Sequence, residues 1–296
     1  MQTQRHLVRT ADGRVIEYLT AGPEDGLPLV IHEGTPVGLS LNARLARAAV
    51  ERHLRVLLAA RPGYEDSTPR PGRTVADVVQ DTAVVLDALG ATEYLSIGFS
   101  GGGPHTLACA ALAPGRCLAA ASVAGVAPST AAGLDFLAGM GPENIEEFGL
   151  ALRGAEALTP FLEKEAAALR EITGGQIVAA LGGLISGADA AVLTGEFAAD
   201  LAAGLRGAVR NGIAGWRDDD LAFTADWGFP VEAAAGRAAI WQGDQDNMVP
   251  FAHGQWLAAR IPGARVHLEP GAGHLTMTVT AIGRILDDLL DLAGRG

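Results

Sequence analysis

The sequence predicts an α/β protein, built as a mostly parallel sheet with helices on both faces and interrupted once by an inserted helical cap. Three observations carry this prediction. Short apolar runs of strand length alternate with helical patterns from residue 28 to residue 126, as in consecutive βαβ units. The alternation lapses over residues 128–230, which are Ala-, Gly- and Leu-rich with helical patches and no convincing strand. It resumes over residues 237–292, so the middle segment reads as an insertion into one α/β core. A chain of 296 residues is long enough for a single large domain of this kind.

Each element has its own local reason. Residues 7–9 and 14–19 are extended runs flanking Ala11-Asp12-Gly13, an Asp-Gly turn that predicts an opening antiparallel hairpin. Strands follow at 28–32, 55–59, 94–99 and 118–126, with helices over 41–52 and 74–89 and another after residue 99. The 74–89 helix places Val75, Val78, Val79, Val85, Leu86 and Leu89 among Asp77, Gln80, Asp81 and Asp87, an apolar stripe suited to packing on a sheet. Gly90 closes it. After the insertion come strands at 237–242 and 264–268, a helix over 251–260, and a last helix ending near Leu292, which makes eight strands in all. The predicted core is therefore residues 1–127 and 231–296, and the cap residues 128–230. Of 15 aromatic residues, eight fall in the cap: Phe136, Phe148, Phe161, Phe197, Trp216, Phe223, Trp227 and Phe229. A small helical unit needs aromatics for its own core, and some of this set is expected to face a substrate.

Composition removes several classes of function. A formal net charge of -12 leaves no electrostatic footprint for nucleic acid and no polybasic membrane patch, so neither partner is expected. Lysine occurs once, at Lys164, which argues against Schiff-base, pyridoxal phosphate and P-loop chemistry. Cys109 and Cys117 have neither CxxC nor zinc spacing and read as two small buried side chains of a protein from a reducing compartment. HExxH and a GxGxxG after a strand are both absent, so no metal and no dinucleotide cofactor is expected. The amino terminus leads into a strand pattern without an apolar signal region, and a cytoplasmic location is expected.

The most informative segment is Glu93 to Pro104, where a strand runs into Gly98-Phe99-Ser100-Gly101-Gly102 and then a helix. With 39 glycines in the chain a bare GxSxG means little, but the strand before it and the helix after it are the context of a nucleophile elbow. A serine held on so sharp a turn needs glycine two positions before and after, where side chains would collide; Gly98 and Gly102 meet that need. The hydroxyl requires a histidine to take its proton and a carboxylate to orient that histidine. Among seven histidines, His274 lies in a Gly-rich loop after the last strand; His6, His53 and His267 occupy strand or helix positions, and His105 and His253 sit in or at the start of helices. Asp244 and Asp246 both lie in the loop after the penultimate strand.

These motifs together resemble the α/β-hydrolase fold superfamily, and within it the capped serine hydrolases abundant in actinobacteria. GFSGGGP is similar to the family's nucleophile elbow, GDQDNMVP to its acid loop GxxDxxVP, and GAGH to its histidine loop, in the family's order. Arg61-Pro62-Gly63-Tyr64 with Ser67 looks like the family's RPGYG-S segment, a framework feature rather than a chemical one. The resemblance implies Ser100 as nucleophile, His274 as general base and then acid, and Asp246 rather than Asp244 as the orienting carboxylate. It also implies that Thr35 and Gly101 supply the two backbone N–H groups of an oxyanion hole. One departure stands out: where the family usually has HGxP, this chain has Glu33-Gly34-Thr35-Pro36. Glu33 thereby puts a carboxylate near the hole, either bonded to loop backbone or acting on acyl selection or on the basicity of His274.

A serine at the elbow argues against epoxide hydrolase and haloalkane dehalogenase chemistry, which needs a carboxylate there. The HGGPG and GGSWG segments of proline iminopeptidases are also missing. The expected function is a cofactor-independent serine hydrolase that cleaves an ester, thioester or lactone bond of a small, mainly apolar molecule through an acyl-enzyme. Two alternatives stay open: a non-hydrolytic enzyme on the same scaffold, such as a lyase, acyltransferase, biosynthetic cyclase or tailoring enzyme, and a ligand-sensing protein with little turnover. An intact serine, histidine and aspartate argue against the sensor.

Overall fold

A computed structural model describes residues 3–296. The hairpin comes first: β1 (Thr3–Arg9) pairs antiparallel with β2 (Val15–Ala21), and Gly13 takes a φ of 87° in the turn between them. Then follow β3 (Leu27–His32), α1 (Ala43–Glu51), β4 (Leu54–Ala59), α2 (Val78–Ala88), β5 (Tyr94–Phe99), α3 (Gly102–Leu112) and β6 (Cys117–Val123). Between β6 and the next strand the chain is helical: α4 (Pro142–Ala151), α5 (Ala155–Leu169), α6 (Ile177–Leu181), α7 (Gly187–Val192), α8 (Gly195–Ala208) and α9 (Ala214–Phe223). The core closes with β7 (Ala238–Gly243), α10 (Phe251–Arg260), β8 (Arg265–Glu269), α11 (Thr276–Thr280) and α12 (Ile282–Leu292).

The eight strands form one sheet in the order β1-β2-β4-β3-β5-β6-β7-β8, antiparallel at β1-β2-β4 and parallel elsewhere. Alternate residues serve opposite faces, as the period of two requires. On β3, Leu29 and Ile31 join the core under α1 and α12, while Val30 joins the one under α2, α3 and α10. Because both faces are covered, the central strands read as continuous apolar runs. Helix α12 meets the sheet through Ile282, Ile285, Leu286 and Leu289, the i, i+3, i+4, i+7 stripe of an amphipathic helix. Asn42 caps α1 by accepting from the backbone N–H groups of Arg44 and Leu45.

Two sequence expectations shift. The apolar run 118–126 predicted a strand of that length, but β6 ends at Val123, because Ala124 takes a φ of 50° and turns the chain out of the sheet. Val126 and Ala127 stay buried, so the run is apolar for packing rather than for pairing. The helix predicted over 74–89 begins as a short 3₁₀ turn, Val75–Asp77, before α2. Cys109 and Cys117 are both buried and unpaired, and no described helix is long and apolar enough to cross a membrane.

The topology locates the site. From β3 the chain moves to one side, into β4, and from β4 it crosses back over β3 to β5. Beyond the carboxyl ends of β3 and β5 the sheet order therefore reverses, which opens a crevice where α/β proteins bind ligands. The loop Glu33–Pro36 and Ser100 sit at those two strand ends.

Candidate active site

Ser100 follows β5 directly and holds a φ of 52°, a left-handed conformation that costs a non-glycine residue on the order of 1–3 kcal/mol. Its backbone is pinned on both sides: its N–H donates to the Val123 carbonyl at 2.9 Å, and its carbonyl accepts from Gly103 N–H at 2.8 Å. A Cβ on Gly98 would run into the Gly102 carbonyl, and one on Gly102 into the His32 carbonyl. Only glycine fits at either position, and the turn presents Ser100 to a cavity of about 490 Å³.

His274 lines the same cavity from the loop between β8 and α11. Its Nδ1–H donates to Asp246 Oδ2 at 2.8 Å, which leaves Nε2 as the acceptor nitrogen of the neutral ring. Asp246 is fixed by the loop after β7: Oδ1 accepts from the Met248 and Val249 N–H groups at 2.9 and 2.8 Å, and Oδ2 also accepts from Gln242 Nε2 at 3.0 Å. Asp244, the other candidate, points elsewhere and accepts from Gly271 N–H at 2.7 Å in an exposed position. Burial pulls the His274 pKa down, but the Asp246 charge and hydrogen bond, with a further contribution from Asp189, outweigh it and raise the pKa above the ordinary histidine value.

The competing histidines are occupied elsewhere. His253 is fully buried, accepts from Ala127 N–H at Nδ1 and donates to the Phe136 carbonyl from Nε2; burial holds its pKa down at about 4. His105 donates from Nδ1 to the Gly101 carbonyl at 2.9 Å within α3. His53, read as a helix or strand residue, lies in the turn between α1 and β4 with a φ of 54°. None of the three lines the cavity.

Thr35 and Gly101 both line the cavity with Ser100, and neither backbone N–H meets an acceptor among the described residues. Phe223 and Thr35 Oγ1 close over Gly101 so tightly that a Cβ there would lie 2.6 Å from the Thr35 hydroxyl. Glu33 lines the cavity partly buried; desolvation pushes its carboxyl up to about 7, against the opposing pull of the Arg61 cation and the Gly34 N–H.

Two carboxylates that sequence reasoning passed over brace this arrangement from the helical segment. Asp219 on α9 is fully buried and accepts from Arg61 Nη2 at 2.6 Å, Arg73 Nη2 at 2.6 Å, Tyr64 OH at 2.8 Å and Thr35 Oγ1 at 2.7 Å. Burial would raise its pKa, but the two guanidiniums outweigh this and hold it well below the usual carboxylate range. Arg61 in turn donates to the Glu33 carbonyl at 2.7 Å and the Gly34 carbonyl at 3.0 Å, so the framework segment Arg61–Tyr64 sets the backbone of the Glu33–Pro36 loop. Asp189 on α7 does the same for the histidine loop: it accepts from the N–H groups of His274, Leu275 and Thr276 at 3.0, 2.8 and 2.9 Å and from Thr276 Oγ1 at 2.9 Å. The only sequence signal for Asp219 was the run Asp218-Asp219-Asp220, whose burial no local pattern announces. Of the eight aromatics of the helical segment, Phe148, Phe161, Phe197, Trp216 and Phe223 line the cavity, while Phe136, Trp227 and Phe229 pack into the core below.

Comparison with known proteins fits this geometry. The sequence profile of the alpha/beta hydrolase fold matches residues 28–279. A non-heme chloroperoxidase of Streptomyces lividans is 33% identical over 123 residues, a match that spans 41% of this chain and 45% of that protein's length. Among solved structures, a hydrolase from Pseudomonas aeruginosa PA01 is similar with a TM-score of 0.66 at 21% identity, over 98% of each chain. The enol-lactonase from Burkholderia xenovorans LB400 is similar with a TM-score of 0.64 at 19% identity, over 97% of this chain and 100% of that one. At such identities the two structures speak to the fold, and it is the profile match over most of the chain that establishes membership. The chain belongs to the alpha/beta hydrolase fold family.

Proposed function

We propose that this protein is a serine hydrolase that cleaves an ester, thioester or lactone bond of a small, mainly apolar substrate through an acyl-enzyme. The observation that carries the reading is a strained serine at a strand-to-helix turn, in one cavity with a histidine whose far nitrogen is held by a buried carboxylate. Ser100 Oγ attacks the carbonyl while His274 Nε2 takes its proton, and Asp246 stabilises the imidazolium that forms. The Thr35 and Gly101 N–H groups receive the developing oxyanion, a term worth about 2.7–4 kcal/mol per donor in other acyl-transfer enzymes. His274 returns the proton to the leaving alcohol or thiol, and water repeats the sequence to free the acid. The helices α4–α9 act as the cap, and their aromatic side chains hold the apolar part of the substrate.

The test is hydrolysis of p-nitrophenyl esters from acetate to decanoate by wild type and Ser100→Ala, with fluorophosphonate labelling alongside. Turnover and labelling that both vanish in Ser100→Ala support the reading. A variant that keeps wild-type turnover sinks the acyl-enzyme, and absence of both turnover and labelling in the wild type sinks the hydrolase.

A further inference from the structure

The wall of the cavity opposite the strand ends is mostly aromatic and aliphatic, yet its charged residues are all of one sign. Seven of the lining residues are Asp or Glu, and none is Lys or Arg. Most of these carboxyls have a structural use or reach water, but Asp220 does not. Asp220 on α9 is 0% exposed and lines the cavity, and neither of its oxygens has a hydrogen-bond donor in reach among the described residues. Beside it lies Glu147 of α4, another lining residue, with Oε1 accepting from Trp216 Nε1 at 2.6 Å. The two carboxyls can share one proton: burial pushes both up and the Glu147 charge pushes Asp220 further, while hydrogen bonds from Asp220 and Trp216 hold Glu147 back. No Lys or Arg side chain bonds either carboxyl among the described residues.

The cations nearby are committed. Arg61 and Arg73 both point to Asp219, the neighbouring residue on the other side of α9, and neither lines the cavity. A buried acid pair that meets no cation is best completed by a group that arrives with the ligand. Asp220's oxygens are closed to solvent, so Glu147, partly exposed on the cavity, is the member of the pair that a ligand meets. Phe223 lies one helical turn beyond Asp220 on α9 and packs against Gly101, next to Ser100. Residues three apart on a helix have Cβ atoms roughly 5–6 Å apart, which sets the carboxyl pair a short linker away from the reacting carbonyl.

We propose that Glu147, with Asp220 directly behind it, forms a cation subsite, and that the substrate is an ester, thioester or lactone carrying a protonated amine a few bonds from the scissile carbonyl. This rests on the hydrolase reading above and narrows it: the aromatic wall takes the hydrocarbon part, and the carboxyl pair selects for the ammonium group. Phe148, Phe161 and Trp216, which line the same wall, add aromatic faces suited to a cation.

The experiment compares a charged and a neutral isostere, 2-(dimethylamino)ethyl butanoate and 3-methylbutyl butanoate, in a pH-stat at pH 7. Wild type is expected to favour the amine by at least tenfold in kcat/KM. In Asp220→Asn and in Glu147→Gln the ratio is expected to collapse toward one. A wild-type ratio of one or less, or a ratio that neither variant changes, overturns the proposal. A binding arm reads the subsite without turnover: calorimetric titration of Ser100→Ala protein with pentylammonium and with 1-pentanol. Binding of pentylammonium at least tenfold tighter than the alcohol supports the subsite even if neither ester is hydrolysed, an outcome that would count against the hydrolase reading alone. Equal or weaker binding of the ammonium overturns the subsite whatever the esters do.

Discussion

His274 stands between two carboxylates that act on it in different ways, and substitution can separate them. Asp246 bonds the ring, whereas Asp189 bonds the backbone around it and contributes to the ring's raised pKa through its charge. A base whose pKa is raised is protonated, and therefore inactive, up to a higher pH, so the acid limb of kcat/KM is expected above the ordinary histidine value of about 6.5. Asp189→Asn removes a negative charge that favoured the imidazolium, and the limb is expected to move to lower pH while the plateau falls because the loop loses acceptors. A pH profile of the variant checks both, and an unmoved limb would leave Asp189 a purely structural residue. Glu33 is a second titrating group lining the cavity, its carboxyl pushed up to about 7 by desolvation. Glu33→Gln is expected to remove an inflection near that pH or to change the acyl preference across an ester series. If neither changes, Glu33 serves the loop backbone alone.

At the scale of elements, the site is a set of strand-end loops tied to overlying helices. The Glu33–Pro36 loop is held by Arg61, Arg61 by Asp219, and Asp219 by its place on α9. Asp219→Ala leaves two buried guanidiniums facing each other, and breaking a buried pair in this way costs roughly 3–5 kcal/mol. Denaturant unfolding of the variant is expected to show a loss of that size, and a change within about 0.5 kcal/mol would mean the arginines find other partners. The same elements explain what local sequence could announce. The three motif loops are each short segments at strand ends, so Ser100 and His274 stand out locally, while Asp246 is separated from Asp244 only by the family resemblance. Asp189 and Asp219 could not stand out, because their partners lie 85 and 158 residues away in the chain and nothing in an Ala-rich helix marks a carboxyl as buried.

For the whole molecule, the balance of buried titrating groups sets the response to pH. Burial lowers the pKa values of His32, His105 and His253, so between their folded values and about 6.5 the unfolded chain binds more protons there and stability rises with pH. Glu33, Glu147 and Asp220 have raised values, so the folded chain binds more protons there and stability falls as pH rises from about 4.5. The two trends oppose each other between about pH 4.5 and 6.5. Below that window Asp219, held low by its arginines, reinforces the histidines, because its stabilisation is lost as the unfolded carboxylate protonates. The urea midpoint is therefore expected to be nearly flat from pH 5 to 6.5 and to drop steeply below about 4.5. A midpoint that falls steadily from pH 7 downward would contradict this balance.

What the sequence determined by itself was carried by short-range pattern: the hairpin, the βαβ alternation, the eight strands, and the strand-end loops that hold Ser100, His274 and the pair Asp244 and Asp246. Period and turn chemistry act over a few residues, and such features survive without knowledge of the fold. Only the tertiary structure decided which carboxylates are buried, which of them meet arginine, backbone or one another, and which aromatics face the cavity. Those outcomes depend on desolvation and on partners brought from distant elements. Asp218, Asp219 and Asp220 are three identical letters in a row, and the fold alone gives one of them two arginines and its neighbour Asp220 a second acid.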